Sequence, residues 1–333
     1  MQWPAASGEK SQVVCPLDAP LVCVVGPTAS GKTALAQRMA ERLSGCVLSA
    51  DSMQIYRGMD IGTGKIAPAD RTVPYHGLDV AVPGSAYSAS LFQEYGRGVV
   101  LRAYEQDCRP IVCGGTGFYV RALVDSYDFP AGEQVGNPVR DAYNARIAEC
   151  GCDAVWDELN QRDPASAALI NAHDAKRVVR AFELLSEGTS YAEQHAKLHA
   201  IGVHFPVTMI GLQVDPEILR KRIDARVDQM VEDGLVDEVQ SLLSEGLREA
   251  LTANQAIGYK EIVQALDGII SLDEAISQIK YATHRYAKRQ RTWFRKDKRI
   301  TWICADRDNG EELLCRALEI VDTDEKRYGK GCA

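Results

Sequence analysis

Eight residues near the N-terminus, Gly26-Pro27-Thr28-Ala29-Ser30-Gly31-Lys32-Thr33, restrict what this chain can become. They fit the pattern G-x-x-x-x-G-K-[ST] of a phosphate-binding loop. The flanks agree. Leu21-Val22-Cys23-Val24-Val25 is a short apolar run that reads as a buried parallel strand, and Thr33 to Ala40 reads as a helix. Strand, glycine-rich turn and helix start aim backbone N–H groups into a concave anion site. Lys32 is placed to reach outer phosphate oxygens, and the Thr33 hydroxyl to hold Mg2+. The loop predicts a bound phosphate ester or diphosphate without saying which, or what becomes of it.

With 333 residues the chain has room for about two domains. A net charge of −8 argues weakly against nucleic acid, although a local basic surface overrides a global sum. Of the ten cysteines, Cys23 and Cys113 sit in apolar runs as small hydrophobes, and Cys150-Gly-Cys152 is too closely spaced for a zinc knuckle. Reduced thiols in a cytoplasmic protein are the expectation. Residues 1–19 lack the apolar core of a signal peptide and read as a disordered tail. No apolar run approaches the roughly 20 residues that cross a bilayer, so no membrane partner is expected.

Beyond the loop, Cys46 to Ala50 reads as a second strand that delivers Asp51-Ser52-Met53-Gln54 at its carboxyl end, where ligands collect in open α/β sheets. Asp51 suits a turn cap, a water-mediated Mg2+ contact or a catalytic carboxylate. Ser88 to about Asp107 reads as a helix capped by Ser88. Arg109 to Cys113 reads as a strand closed by Gly114-Gly115-Thr116, where Thr116 offers a hydroxyl. The alternation predicts a βαβ core with a parallel sheet. Residues 127–205 have almost no strand signal and read as a helical insertion, opened by a Pro/Gly linker at 130–138. Within it Asp174-Ala175-Lys176-Arg177-Val178-Val179-Arg180 places Arg177 and Arg180 on one helix face. Residues 207–214 return to the sheet. Pro216 to Glu232 reads as a helix with Arg222 and Arg226 on one face; an arginine aimed at the phosphate loop would neutralise a departing anion. A polar loop then leads to Gln255-Ala256-Ile257-Gly258-Tyr259-Lys260.

A long helix is predicted over about 271–296. Residues 284–299 hold eight Lys or Arg against one Asp, interleaved with Tyr286, Trp293 and Phe294. Basic residues mixed with aromatics suit phosphate contact with base stacking. The alternative is that Trp293 and Phe294 anchor the core while the charges face water.

Taken together these words resemble the tRNA dimethylallyltransferases (tRNA isopentenyltransferases), of bacterial type because no zinc finger is appended. The matching stretches are Gly26–Thr33, Asp51–Thr63, Gly114–Thr116, Asp174–Arg180, Ile257–Tyr259 and Lys288-Arg289-Gln290-Arg291-Thr292-Trp293-Phe294-Arg295, in the family's order over roughly residues 20–300. The family often has two histidines where this chain has Tyr75-His76, and Arg where it has Gln255.

The resemblance implies a P-loop NTPase-like α/β fold with an inserted all-helical domain. The catalytic core would span 20–126 and 206–333, and a tRNA-binding insertion 127–205. It implies transfer of a dimethylallyl group from dimethylallyl diphosphate to N6 of the adenosine at position 37, beside the anticodon, in tRNAs reading codons that begin with U. On this view Asp51 accepts the amine proton, while Lys32, Thr28, Arg226 and Thr33 with Mg2+ hold the leaving diphosphate. The loop, although of the ATP-binding pattern, then holds diphosphate rather than ATP. Asp51–Gln54, Thr116, Arg140, Lys176–Arg180, Gln255–Lys260 and Lys288–Arg295 would contact the tRNA anticodon stem-loop, and the chain is expected to act as a monomer. Three rivals remain at this stage. They are an adenylate isopentenyltransferase acting on free AMP, ADP or ATP, a small-molecule P-loop kinase, and a nucleotide-gated RNA-binding module.

Overall fold

A computed structural model describes residues 19–129, 137–199, 201–250, 252–306 and 310–330. The predicted N-terminal tail, apart from its last residue, and the 130–136 part of the predicted linker lie outside these residues. The chain divides into two compact units, Met1–Val124 with His204–Ala333, and Asp125–Val203.

The larger unit is built on six parallel strands. They are β1 (Leu21–Val25), β2 (Gly45–Ser49), β3 (Tyr75–His76), β4 (Arg109–Gly114), β5 (Val207–Gln213) and β6 (Ile300–Cys304), in the order β3-β2-β4-β1-β5-β6. Every residue of β1 and β2 is buried, as continuous apolar runs covered on both faces should be. β6 is an outer strand that buries Ile300 and Ile303 and leaves Thr301 and Cys304 exposed. It follows the basic segment and was not predicted.

Helices α1 (Lys32–Arg42), α2 (Ala89–Glu105) and α3 (Gly117–Val124) belong to this unit. Ser88 Oγ accepts the Leu91 N–H at 3.1 Å, the cap expected for α2. The smaller unit contains α4 (Pro138–Cys150), α5 (Cys152–Arg162), α6 (Pro164–Ala167), α7 (Ala175–Ser186) and α8 (Tyr191–His199). Its core gathers Val155, Leu159, Ile170, Val178 and Phe182, and the Tyr143 ring stacks on Phe182 at 3.8 Å. Burying each large side chain of this set contributes about 1.5–3 kcal/mol.

The chain returns to the larger unit with α9 (Pro216–Glu232), α10 (Leu235–Ser244), α11 (Tyr259–Leu266), α12 (Leu272–Phe294) and α13 (Gly310–Lys330). The stretch expected to be a polar loop after Glu232 is largely α10. Leu235, Val239 and Leu242 recur at helical spacing and are buried, which outweighs the polar residues between them. Among the described residues no helix is long and apolar enough to cross a membrane.

Candidate functional site

The strand β1 ends in the phosphate loop, and Gly31 takes the left-handed conformation (φ 89°) that turns the chain into α1. The Lys32 ammonium donates to the Pro27 carbonyl at 3.3 Å and so curls over its own loop. Burial pulls the Lys32 pKa down, while the Asp51 carboxylate works to keep the lysine charged. Thr33 and Asp51 line a small cavity with Lys32. A hydroxyl and a carboxylate at one place are hard oxygen donors that suit Mg2+, which takes few protein ligands and leaves the rest to phosphate and water. The Cys113 thiol in the same cavity is pushed up to about 11 by burial, and so stays protonated.

Asp51 also faces a larger cavity of about 330 Å3. Its Oδ1 accepts the Met53 N–H at 3.0 Å, a turn that fixes the carboxylate at the carboxyl edge of the sheet. Thr28, Ser52, Thr63, Arg226, Thr283, Tyr286 and Arg289 give this cavity a polar side. Ile223, Val227, Met230, Leu235, Ile257 and Ile279 give it an apolar one. Arg226 donates weakly to the Gly64 carbonyl at 3.4 Å. Burial lowers its pKa and Asp51 opposes that, so the guanidinium is held partly desolvated near a carboxylate. Arg222, four residues away, spends its guanidinium on the Ala305 and Asp306 carbonyls, both at 3.0 Å. Only the second arginine of the pair belongs to the cavity.

The wall of the cavity is braced from three sides. Gln54 accepts from Ser49 Oγ at 2.8 Å and donates to the Thr63 and Gly64 carbonyls at 3.2 and 3.3 Å. Its amide is thus committed to the loop rather than presented to a ligand. Glu238 accepts the N–H groups of Asp60, Ile61 and Gly62 at 2.9, 2.7 and 3.1 Å, and the Tyr259 hydroxyl at 2.5 Å. Thr116 Oγ1 accepts the Ser52 N–H at 3.0 Å and so ties the β2 and β4 ends together. Tyr286 stands in hydrogen-bond reach of Thr116 and Gln290, and burial raises its pKa.

The residues expected to touch RNA divide into inward and outward ones. Val178 and Val179 are buried on α7, Val178 as part of the core of the smaller unit. Ala256, Gly258 and Tyr259 are buried and Gln255 and Lys260 exposed, and Gln255 to Gly258 line the larger cavity with Asp51. On α12 Gln290 and Phe294 point inward; Lys288, Arg289, Thr292, Trp293 and Arg295 are exposed, and Arg291 is half-buried. Trp293 packs edge-on against Phe118 at 6.5 Å. Arg140 donates to Glu183 at 2.5 and 3.1 Å, and Arg180 reaches the same carboxylate at 2.8 Å. Burial works to raise the pKa of Glu183, but the two guanidiniums outweigh it and hold it below the usual carboxylate range. Lys176 and Arg177 remain exposed on that helix.

The apolar wall and Glu238 were missed in the sequence. Ile223, Val227 and Met230 on α9, with Ile279 on α12, carry helical spacing that any core-facing stripe also shows. Glu238 is one acidic residue in a helix, with no local sign that three distant amides close on it.

Comparison with known proteins fixes the family. The model of the IPP transferase family matches residues 54–297, and that of the isopentenyl transferases matches residues 19–73. The chain belongs to the IPP transferase family. A tRNA dimethylallyltransferase from Carboxydothermus hydrogenoformans is 41% identical over 309 residues, which cover 91% of this chain and 96% of that one. Among solved structures, the full-length tRNA isopentenylpyrophosphate transferase of Bacillus halodurans superposes with a TM-score of 0.69 at 37% identity, covering 93% of this chain and 98% of the other. A eukaryotic dimethylallyltransferase acting on tRNA gives 0.74 at 25% identity, covering 86% of this chain and 74% of the other. Within this IPP transferase the parallel sheet and its flanking helices are the fold expected from the loop and the alternating pattern.

Proposed function

We propose that this IPP transferase moves a dimethylallyl group from dimethylallyl diphosphate to N6 of an adenosine beside the tRNA anticodon, and releases diphosphate. The observation that carries the reading is one cavity with Asp51, Thr28 and Arg226 at its polar side and an apolar wall beside them. A nucleotide kinase has little use for that wall. A five-carbon chain gains roughly 4 kcal/mol there, at about 0.8 kcal/mol per buried carbon.

The chemistry follows from the side chains. The exocyclic amine of adenine is a poor nucleophile. Its lone pair attacks C1 of the dimethylallyl group while the C1–O bond to diphosphate breaks, and Asp51 takes the proton that the amine loses. Charge grows on the leaving diphosphate as that bond opens. Lys32, the loop amides and Arg226 neutralise it, the two side chains from a partly dry site where each charge counts for more. Mg2+, held by Thr33 and within reach of Asp51, would add positive charge to the same leaving group. The loop on this reading binds diphosphate and not ATP. The target base leaves the anticodon stack to enter the cavity, which Ser52 and Met53 help to line. Lys288, Arg289 and Arg295 on α12 supply a cationic surface for the stem-loop, the smaller unit offers Lys176 and Arg177 of its own on α7, and a tRNA substrate agrees with a cytoplasmic enzyme.

The deciding experiment supplies labelled dimethylallyl diphosphate with unmodified tRNA, AMP, or a small acceptor plus ATP. Label on tRNA supports the proposal. Label on AMP alone means an adenylate isopentenyltransferase, and ATP turnover with the small acceptor means a kinase.

A further inference from the structure

Gln290 lies in the basic run of α12, yet only 4% of it is exposed. Its Oε1 accepts the Thr28 N–H at 2.8 Å, and its Nε2 donates to the Gly115 carbonyl at 3.0 Å. One amide thus joins the phosphate loop after β1 to the loop after β4. The Thr28 N–H, which a bare phosphate loop would offer to an anion, is turned to the helix instead. The next residue, Ala29, holds a left-handed backbone (φ 60°) that an alanine does not adopt without support. The loop after β4 is glycine where α12 presses on it. A Cβ on Gly115 would stand 2.1 Å from Gln290 Nε2, and one on Gly117 2.0 Å from the Trp293 ring. On either side of Gln290 along the helix Lys288 and Arg289 are exposed, Arg289 also lining the cavity, and Trp293 keeps an exposed part while packing on Phe118.

We propose that Gln290 is a positioning residue for the diphosphate site, and the side chain through which RNA on α12 and the anion in the phosphate loop sense one another. The proposal rests on the reading of the site given above. Both bonds of the buried amide are needed. The acceptor bond sets the Thr28 peptide, and with it the Thr28 hydroxyl and the turn at Ala29. The donor bond fixes the amide against β4. Any shift of α12 as RNA docks moves this amide and therefore the loop. Coupling of this kind is reciprocal, so diphosphate tightens RNA by the factor with which RNA tightens diphosphate.

The test is calorimetric titration of the full chain with inorganic diphosphate and with an unmodified anticodon stem-loop RNA, each alone and with the other saturating. In the wild type each ligand is expected to tighten the other. Gln290→Met, similar in shape but unable to make either bond, should weaken diphosphate binding by about tenfold and leave RNA binding alone within about twofold. Its coupling factor should fall towards one. Gly115→Ala displaces the same amide from the opposite side without altering Gln290, and should do likewise; it also serves if Gln290→Met does not fold. Folded variants that bind diphosphate as the wild type does would overturn the proposal, as would a loss of RNA affinity alone, which would make Gln290 a plain RNA contact. A wild type that binds no diphosphate would instead remove the underlying reading of the site.

Discussion

Asp51 and Arg226 face one cavity, the carboxylate from the end of β2 and the guanidinium from the middle of α9. Asp51 opposes the fall in pKa that burial imposes on Arg226. The groups proposed as base for the incoming amine and as cation for the outgoing diphosphate thus share one cavity. Replacing Asp51 by Ala should lower turnover by about two to four orders of magnitude, the range of a general base, with tRNA affinity far less affected. Single-turnover transfer on saturating tRNA measures this, and a near-normal rate would remove Asp51 from the role.

Arg226→Ala should cost about a hundredfold or more in turnover, as loss of one donor to a developing anion does. Gly64 offers a second route to the same effect. It has φ +60°, and a Cβ there would come within 1.6 Å of an Arg226 terminal nitrogen. Gly64→Ala should therefore push the guanidinium aside and slow the reaction in the same direction. Combining the two changes should cost little more than the worse of them. Full additivity would mean that Gly64 acts on something other than Arg226.

The smaller unit carries its own electrostatic signature. The folded pKa of Glu183 lies below its ordinary value of 4.5, so the unfolded chain binds the proton more readily. The stability this carboxylate confers is therefore present at neutral pH and is lost as pH falls below that value. Melting temperatures of the wild type and of Glu183→Gln should differ at pH 7 and converge on acidification; a gap independent of pH would show that the carboxylate's charge is not what matters. Arg140→Ala, which leaves Glu183 with Arg180, should destabilise by about 1–3 kcal/mol.

Much of this site is legible in local patterns. The phosphate loop, Asp51 at a strand end and the basic α12 each announce themselves within a dozen residues, because backbone geometry and charge density are local properties. Inward and outward residues of a functional word are not separable in that way. Gln290 and Phe294 look like their basic neighbours, and Val178 and Val179 like part of an arginine motif, until the helix is packed and its inner face chosen. Glu238 illustrates the other limit: it gains its role from three amides of the 60–62 loop, which a sequence does not bring near it.

Neutralising Lys288 and Arg295 together should weaken tRNA binding and shallow its salt dependence, each lost phosphate contact removing a little under one from the log–log slope. Both residues are exposed and neither lines the cavity, so transfer at saturating tRNA should change little. An unchanged slope would assign these charges to solvent alone.

The central claim is that the loop after β1 grips a leaving diphosphate. A crystal structure with a non-reactive dimethylallyl diphosphate analogue tests it most directly. The account predicts both phosphorus atoms in the loop beside Lys32, with the allyl carbons against Ile223, Val227 and Ile279 and C1 facing Asp51. Phosphorus atoms bound away from Lys32, or an allyl chain directed out of that cavity, would contradict it.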